Sequence, residues 1–67
     1  MPSSAVRDID YNPDTRILSV TFVPTGKRYA YREVPFETYD AFISAFSKGT
    51  FFNRFIRDQF DFELVET

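Results

Sequence analysis

Apolar and polar residues alternate with a period of two through the first half of this chain and then change to a helical period. In Arg16 to Val23, Leu18, Val20 and Phe22 fall on one side and Ser19 and Thr21 on the other, as in a strand with one buried face. Lys27 to Arg32 repeats the pattern, with Tyr29 and Tyr31 set against Arg28, Ala30 and Arg32. Val6 to Tyr11 reads as a preceding strand. Between the first two strands stands Asn12-Pro13-Asp14-Thr15, where proline presets φ and the Asn and Asp side chains can bond back to the backbone. Pro24-Thr25-Gly26 makes the second turn, with Gly26 supplying permissive backbone.

The alternation also constrains register. A two-residue loop at Thr25-Gly26 sets Phe22 against Tyr29 and Val20 against Tyr31, whereas a four-residue loop sets Val20 against Tyr29 and Leu18 against Tyr31. Both place the two tyrosines on the apolar face, and both leave Ser19, Thr21, Arg28 and Arg32 on the opposite one. A three-residue loop would reverse the tyrosines unless a bulge corrected it.

After Val34 the period becomes helical. Pro35 suits a helix start, and Tyr39, Phe42, Ile43 and Phe46 form one stripe, with Glu37 and Asp40 near the positive end. Ser47-Lys48-Gly49 is expected to end this helix with Gly49 in a left-handed cap. Thr50 is expected to cap a second helix running to about Asp58, with Phe52, Phe55 and Ile56 inward. Phe60, Phe62 and Leu64 then alternate with Asp61, Glu63 and Val65, as a short fourth strand or as an extended tail lying on the domain.

The expected fold class is α+β: a three-stranded antiparallel meander with a C-terminal helical hairpin packed on one face and a short extended segment after it. No repeat or linker divides the chain, so residues 1–67 read as one domain with its core at about 5–60 and an acidic tail at 58–67.

Composition narrows the chemistry. The core is aromatic, with nine Phe and four Tyr, and each fully buried Phe contributes roughly 1.5–3 kcal/mol. The chain has no Cys and no His, which removes disulfides and the ordinary zinc sites; no metal or cofactor is expected. No His- or Cys-based nucleophile pair, phosphate loop or concave carboxylate pair is apparent, so the chain reads as a binding module and not as an enzyme. No apolar run has the length of a membrane span and Met1 to Thr15 has no signal-peptide pattern, so a cytoplasmic location is expected. The net charge is −2, but it is segregated: residues 16–57 carry seven basic against three acidic side chains, a local +4, whereas residues 58–67 carry −4.

Several of these residues together resemble the KTSC domain, a short module found at the C-terminus of some lysyl-tRNA synthetases and as a free-standing bacterial protein. The resemblance rests on Ser3-Ser4, Ile9, Tyr11, Leu18, Val20, Phe22 and Gly26, and on the Tyr29-Ala30-Tyr31 triplet followed by Val34-Pro35 and Tyr39. It continues through Ser47-Lys48-Gly49-Thr50-Phe51-Phe52-Asn53 and Ile56-Arg57, and is thinnest beyond Gln59. It implies an α+β module for which RNA binding has been suggested from the synthetase context.

Three groups are candidate contacts. Tyr29 and Tyr31 can in principle stack on bases, but the register assigns them to the core. Lys27, Arg28 and Arg32 form a strip that can hold phosphates or simply be a solvated face. Lys48, Gly49, Thr50, Asn53, Arg54 and Arg57 form either an anion site at a helix start or ordinary capping, the arginines then pairing with Asp58 or Asp61. Two functions follow: nucleic-acid binding, with RNA as partner, through these basic residues; or a protein-interaction module or small homodimer using an aromatic edge, Phe51 or Phe60 to Phe62, or an open strand edge.

Overall fold

The computed structural model describes residues 5–23 and 25–65. Ser3-Ser4, Pro24 of the second turn and Glu66 of the acidic tail lie outside the described residues. The order is β1 (Ala5–Asn12), β2 (Ile17–Val23), β3 (Arg28–Tyr31), α1 (Phe36–Ser44), α2 (Lys48–Phe55) and β4 (Phe62–Val65). The four strands form one antiparallel sheet in the order β1-β2-β3-β4, with the helical hairpin inserted between the last two. The extended C-terminal segment is thus a fourth strand, paired along β3 with Tyr31 opposite Phe62 and Tyr29 opposite Leu64.

Local chemistry explains both turns. The Asn12 side chain accepts the Asp14 amide at 2.9 Å and the Asn12 carbonyl accepts that of Arg16 at 2.7 Å, closing a loop that ends with Arg16 in the left-handed region at φ 61°. In the second turn the Gly26 amide donates to the Phe22 carbonyl at 2.8 Å, and Gly26 takes φ 74°, where a side chain would be strained. The resulting register sets Leu18 against Tyr31 and Val20 against Tyr29, the four-residue-loop alternative.

A register shift between Val6 and Asp8 adjusts β1. Strict alternation would put Val6 on the opposite side from Ile9 and Tyr11. The extra residue, Arg7, brings all three to the apolar face, where Val6 lies opposite Phe22, Ile9 opposite Val20 and Tyr11 opposite Leu18.

Leu18, Val20, Val34, Phe42 and Ile56 are fully buried, and Tyr31 and Phe52 nearly so. Tyr11 joins three parts of the fold: its ring stacks on Tyr39 of α1 with centroids 4.7 Å apart, and its hydroxyl donates to the Val34 carbonyl at 2.6 Å. The Val34 amide in turn donates to the carbonyl of Arg16 at 2.9 Å, tying the β3–α1 connection to the first turn.

The helices differ from the sequence expectation in their caps and in half of their apolar stripes. Gly49 is not a left-handed cap; it sits in the first turn of α2, and Ser47 is the N-cap, its hydroxyl accepting the Thr50 amide at 3.3 Å. Thr50 is therefore an internal residue of α2. The Ser47 hydroxyl gives an orphan amide of α2 its acceptor, so the helix begins three residues earlier than a cap at Thr50 would set it. α1 ends at Ser44, two residues before Phe46, which is fully exposed; Ile43 and Phe55 are exposed as well. Helices of nine and eight residues have room for Phe42 in one and Phe52 in the other to reach the sheet, with Ile56 following directly after α2. Phe51, expected at an exposed edge, instead stacks against Phe42 with centroids 5.6 Å apart.

Candidate nucleic-acid interface

The hairpin is too short to cover the whole apolar face of a four-stranded sheet. Phe52 descends from α2 onto Phe22 and Tyr31, with ring centroids 5.0 and 5.5 Å away, both edge to face. Beyond it the β3–β4 half of the face is open: Tyr29 is half-buried, and Phe62 and Leu64 keep 49% and 45% of their surface in solvent. A groove of about 450 Å³ results, within the range of roughly 300–1,000 Å³ typical of small-ligand sites.

Aromatic rings make the floor and one wall. Tyr29 meets Phe22 at 5.9 Å and Phe62 at 5.8 Å, and Phe62 meets Tyr31 at 5.3 Å, so the rings form a connected series across β2, β3 and β4. The other wall is polar. Asn53 on α2 and Arg57 in the following turn both line the groove, and Asp58 joins them there.

Tyr31 is 3% exposed, and burial, reinforced by the neighbouring Tyr29 and by Asp58, pushes its phenol up to about 12, with Arg57 opposing. It is thus a neutral donor at physiological pH. Among the described residues its hydroxyl has no hydrogen-bond partner, and no fully enclosed side-chain polar atom is left unpaired, so that hydroxyl is not sealed from solvent. The register reading of the tyrosines holds, and the partial cover leaves Tyr29 accessible.

The predicted basic residues are not brought together. Arg28 lies on the opposite face and pairs with Asp10 at 3.6 Å, and Arg32 pairs with Glu63 at 3.9 Å; Lys27 is exposed in the turn. Two of the three cations of that strip therefore already face carboxylates. In the second group, the Lys48 ammonium donates to the Ala45 carbonyl at the end of α1 (2.9 Å), the Ser47 hydroxyl bonds the Thr50 hydroxyl (3.0 Å), and Gly49 is inside the helix. Lys48 and Thr50 thus serve the helix ends, and Gly49 is part of the first turn of α2. Arg54 lies outside the groove, and of that group only Asn53 and Arg57 line it. The pairing of Arg54 or Arg57 with Asp58 or Asp61 does not occur among the described residues. Phe22, Phe52 and Asp58 are the lining residues that sequence reasoning does not place in a site, and Phe62, expected as part of an aromatic edge for a protein partner, joins the groove once β4 is set beside β3.

Comparison with known proteins agrees with this fold. The family model for the KTSC domain matches residues 2–60. An uncharacterised protein of Stutzerimonas stutzeri is 37% identical over 59 residues, covering 88% of this chain and 82% of that protein. A lysine–tRNA ligase of a Nostoc species is 35% identical over 60 residues, covering 90% of this chain but only 10% of the ligase. The crystal structure of a KTSC domain protein from Yersinia pestis superposes with a TM-score of 0.87 at 35% identity, covering 98% of this chain and 94% of that one. By sequence and by fold, this chain belongs to the KTSC domain family.

Proposed function

We propose that the domain binds single-stranded RNA by taking an unstacked base into the groove between Phe62 and α2, with Arg57 and Asn53 holding the polar part of the nucleotide. The observation that carries this reading is the half-covered aromatic face: Tyr29 and Phe62 remain available for stacking while a cation and an amide line the facing wall. Aromatic stacking recognises bases in single strands, and an arginine beside the rings adds a charged donor and a cation–π partner. The kinship with a segment of a lysine–tRNA ligase supports an RNA ligand over other aromatic molecules. The acidic side chains around β4, Asp61 and Glu63, oppose broad polyanion binding and favour a short contact made through few charges.

The test is titration of short single-stranded RNA into the protein, followed by its tyrosine fluorescence. Phe62→Ala is expected to cost about 1–3 kcal/mol of binding and Arg57→Glu to abolish it, while Arg28→Glu leaves it nearly unchanged. With one or two phosphates contacted, the logarithm of affinity should fall with that of salt at a slope of about −1. Equal losses from the Arg28 and Arg57 variants would overturn the assignment.

A second reading, addition of a partner protein's strand to β4, is favoured by that strand's position at the sheet edge with Phe62 and Leu64 exposed. It predicts association that survives moderate salt and is lost with Leu64→Lys, a change at the far end of β4 from the Phe62 pairing with Tyr31.

A further inference from the structure

The polar wall of the groove is not simply cationic. Arg57 and Asp58 are consecutive in the turn after α2, and both line the groove together with the rings. An arginine presents paired donors in a fixed fork, and a carboxylate presents paired acceptors. A phosphate would be served by the first and repelled by the second. A base with one edge of adjacent acceptors and another of adjacent donors would be served by both.

Guanine fits that description, and adenine, cytosine and uracil do not. Its O6 and N7 are neighbouring acceptors, the usual two-point target of arginine. Its N1–H and 2-amino group are neighbouring donors. Adenine places a lone pair at N1 and a C–H at position 2 there, and its 6-amino group would face the arginine donors. The pyrimidines offer no pair of adjacent donors.

Resting on the RNA reading above, we infer that the groove prefers guanine, stacked against Tyr29 and Phe62, with the Asp58 carboxylate accepting from N1–H and the 2-amino group and the Arg57 guanidinium donating to O6 and N7. The Tyr31 hydroxyl, a neutral donor, lines the same groove as Arg57 and Asp58. Arg57 and Asp58 are both exposed in the unliganded domain, so their hydrogen-bonding capacity is met by water until a base replaces it.

The experiment uses the whole chain and short oligouridine RNAs with a single central guanosine, inosine or adenosine, together with free guanosine monophosphate. The guanosine RNA is expected to bind about tenfold or more tightly than the adenosine RNA. Inosine, which lacks only the 2-amino group, should fall between. Asp58→Asn should erase the guanosine advantage, any change it makes for the all-uridine RNA being shared by the adenosine RNA, and circular dichroism of this exposed-site variant should match the parent. Equal affinity for guanosine and adenosine RNAs, or an Asp58→Asn loss shared by every RNA, overturns the base assignment and leaves the RNA reading standing. No binding of any RNA overturns both. Free guanosine monophosphate is expected to bind more weakly than the guanosine RNA; the reverse order supports the guanine assignment while overturning RNA as its source.

Discussion

Replacing Tyr11 with Phe removes one oxygen and leaves the ring. That oxygen donates to the Val34 carbonyl at 2.6 Å, and Val34 itself is fully buried. The ring remains stacked on Tyr39, so packing is preserved and the loss is that of one hydrogen bond. A net contribution of about 0.5–1.5 kcal/mol is lost with the bond, and an under-satisfied carbonyl in the interior raises the cost toward about 2 kcal/mol. A chain of this length has a total stability of roughly 3–10 kcal/mol, so the change is a substantial fraction of it. Because Val34 also ties the entry of α1 to the first turn through Arg16, the effect should register on the whole fold. Urea unfolding followed by far-ultraviolet circular dichroism should show a lower midpoint at unchanged slope, and the melting temperature should fall by about 4–8 °C for each kcal/mol. Tyr39→Phe is the control: its hydroxyl makes no hydrogen bond among the described residues, and its removal should move the midpoint by less than about 0.5 kcal/mol. Equal effects from the two variants, or none from either, would show that the Tyr11 hydroxyl does not hold the connection.

Other consequences are as direct. Tyr31, raised from 10.0 to about 12 in the folded state, keeps its proton more tightly there than in the unfolded chain, so its stabilising contribution is present in full below pH 10 and is lost as pH rises from 10 toward 12. Ultraviolet titration of tyrosinate should show a phenol ionising late, and Tyr31→Phe should remove that late step. Glu33 is exposed and holds φ 58°, so Glu33→Gly should stabilise by up to about 1 kcal/mol in thermal melts and Glu33→Val should destabilise by more than that. Ser47→Ala removes the acceptor for the Thr50 amide and should lower stability by about 1 kcal/mol, with Ser47→Asp retaining most of it.

What was legible in the sequence follows from which forces act locally. The faces of β2 and β3 could be read because strict alternation leaves one burial pattern that keeps Leu18, Val20, Phe22, Tyr29 and Tyr31 together. Choosing between the two loop lengths required the Phe22–Gly26 backbone bond, which depends on chain geometry and not on residue type. The β1 bulge was hidden because Arg7 looks like any outward polar residue until Val6 and Ile9 must both reach the core. Ser47-Lys48-Gly49-Thr50 contains two serviceable helix starts; the outcome depends on where α1 stops, which tertiary packing of Phe42 sets. The same packing leaves Phe46 and Phe55 outside, although their spacing matches a buried stripe.

The candidate site was legible only in pieces. The chemistry of Asn53 and Arg57 and the ring of Tyr29 stand out in the sequence, but there they belong to different elements. β4 joins them: by pairing with Tyr29 and Tyr31, it carries Phe62 to the side facing the turn after α2. The acidic neighbours of the basic strip were hidden for the same reason. Asp10 and Glu63, distant in sequence, come beside Arg28 and Arg32 only when the sheet assembles.

Two-dimensional NMR of the labelled protein with single-stranded RNA would locate the bound strand by residue. Saturable shifts at Tyr29, Asn53, Arg57 and Phe62, with Arg28 and Ser19 on the far face unmoved, are expected if a base enters the half-covered groove. Shifts confined to Arg28, Ser19 and Thr21, or no shift with any RNA, would contradict it.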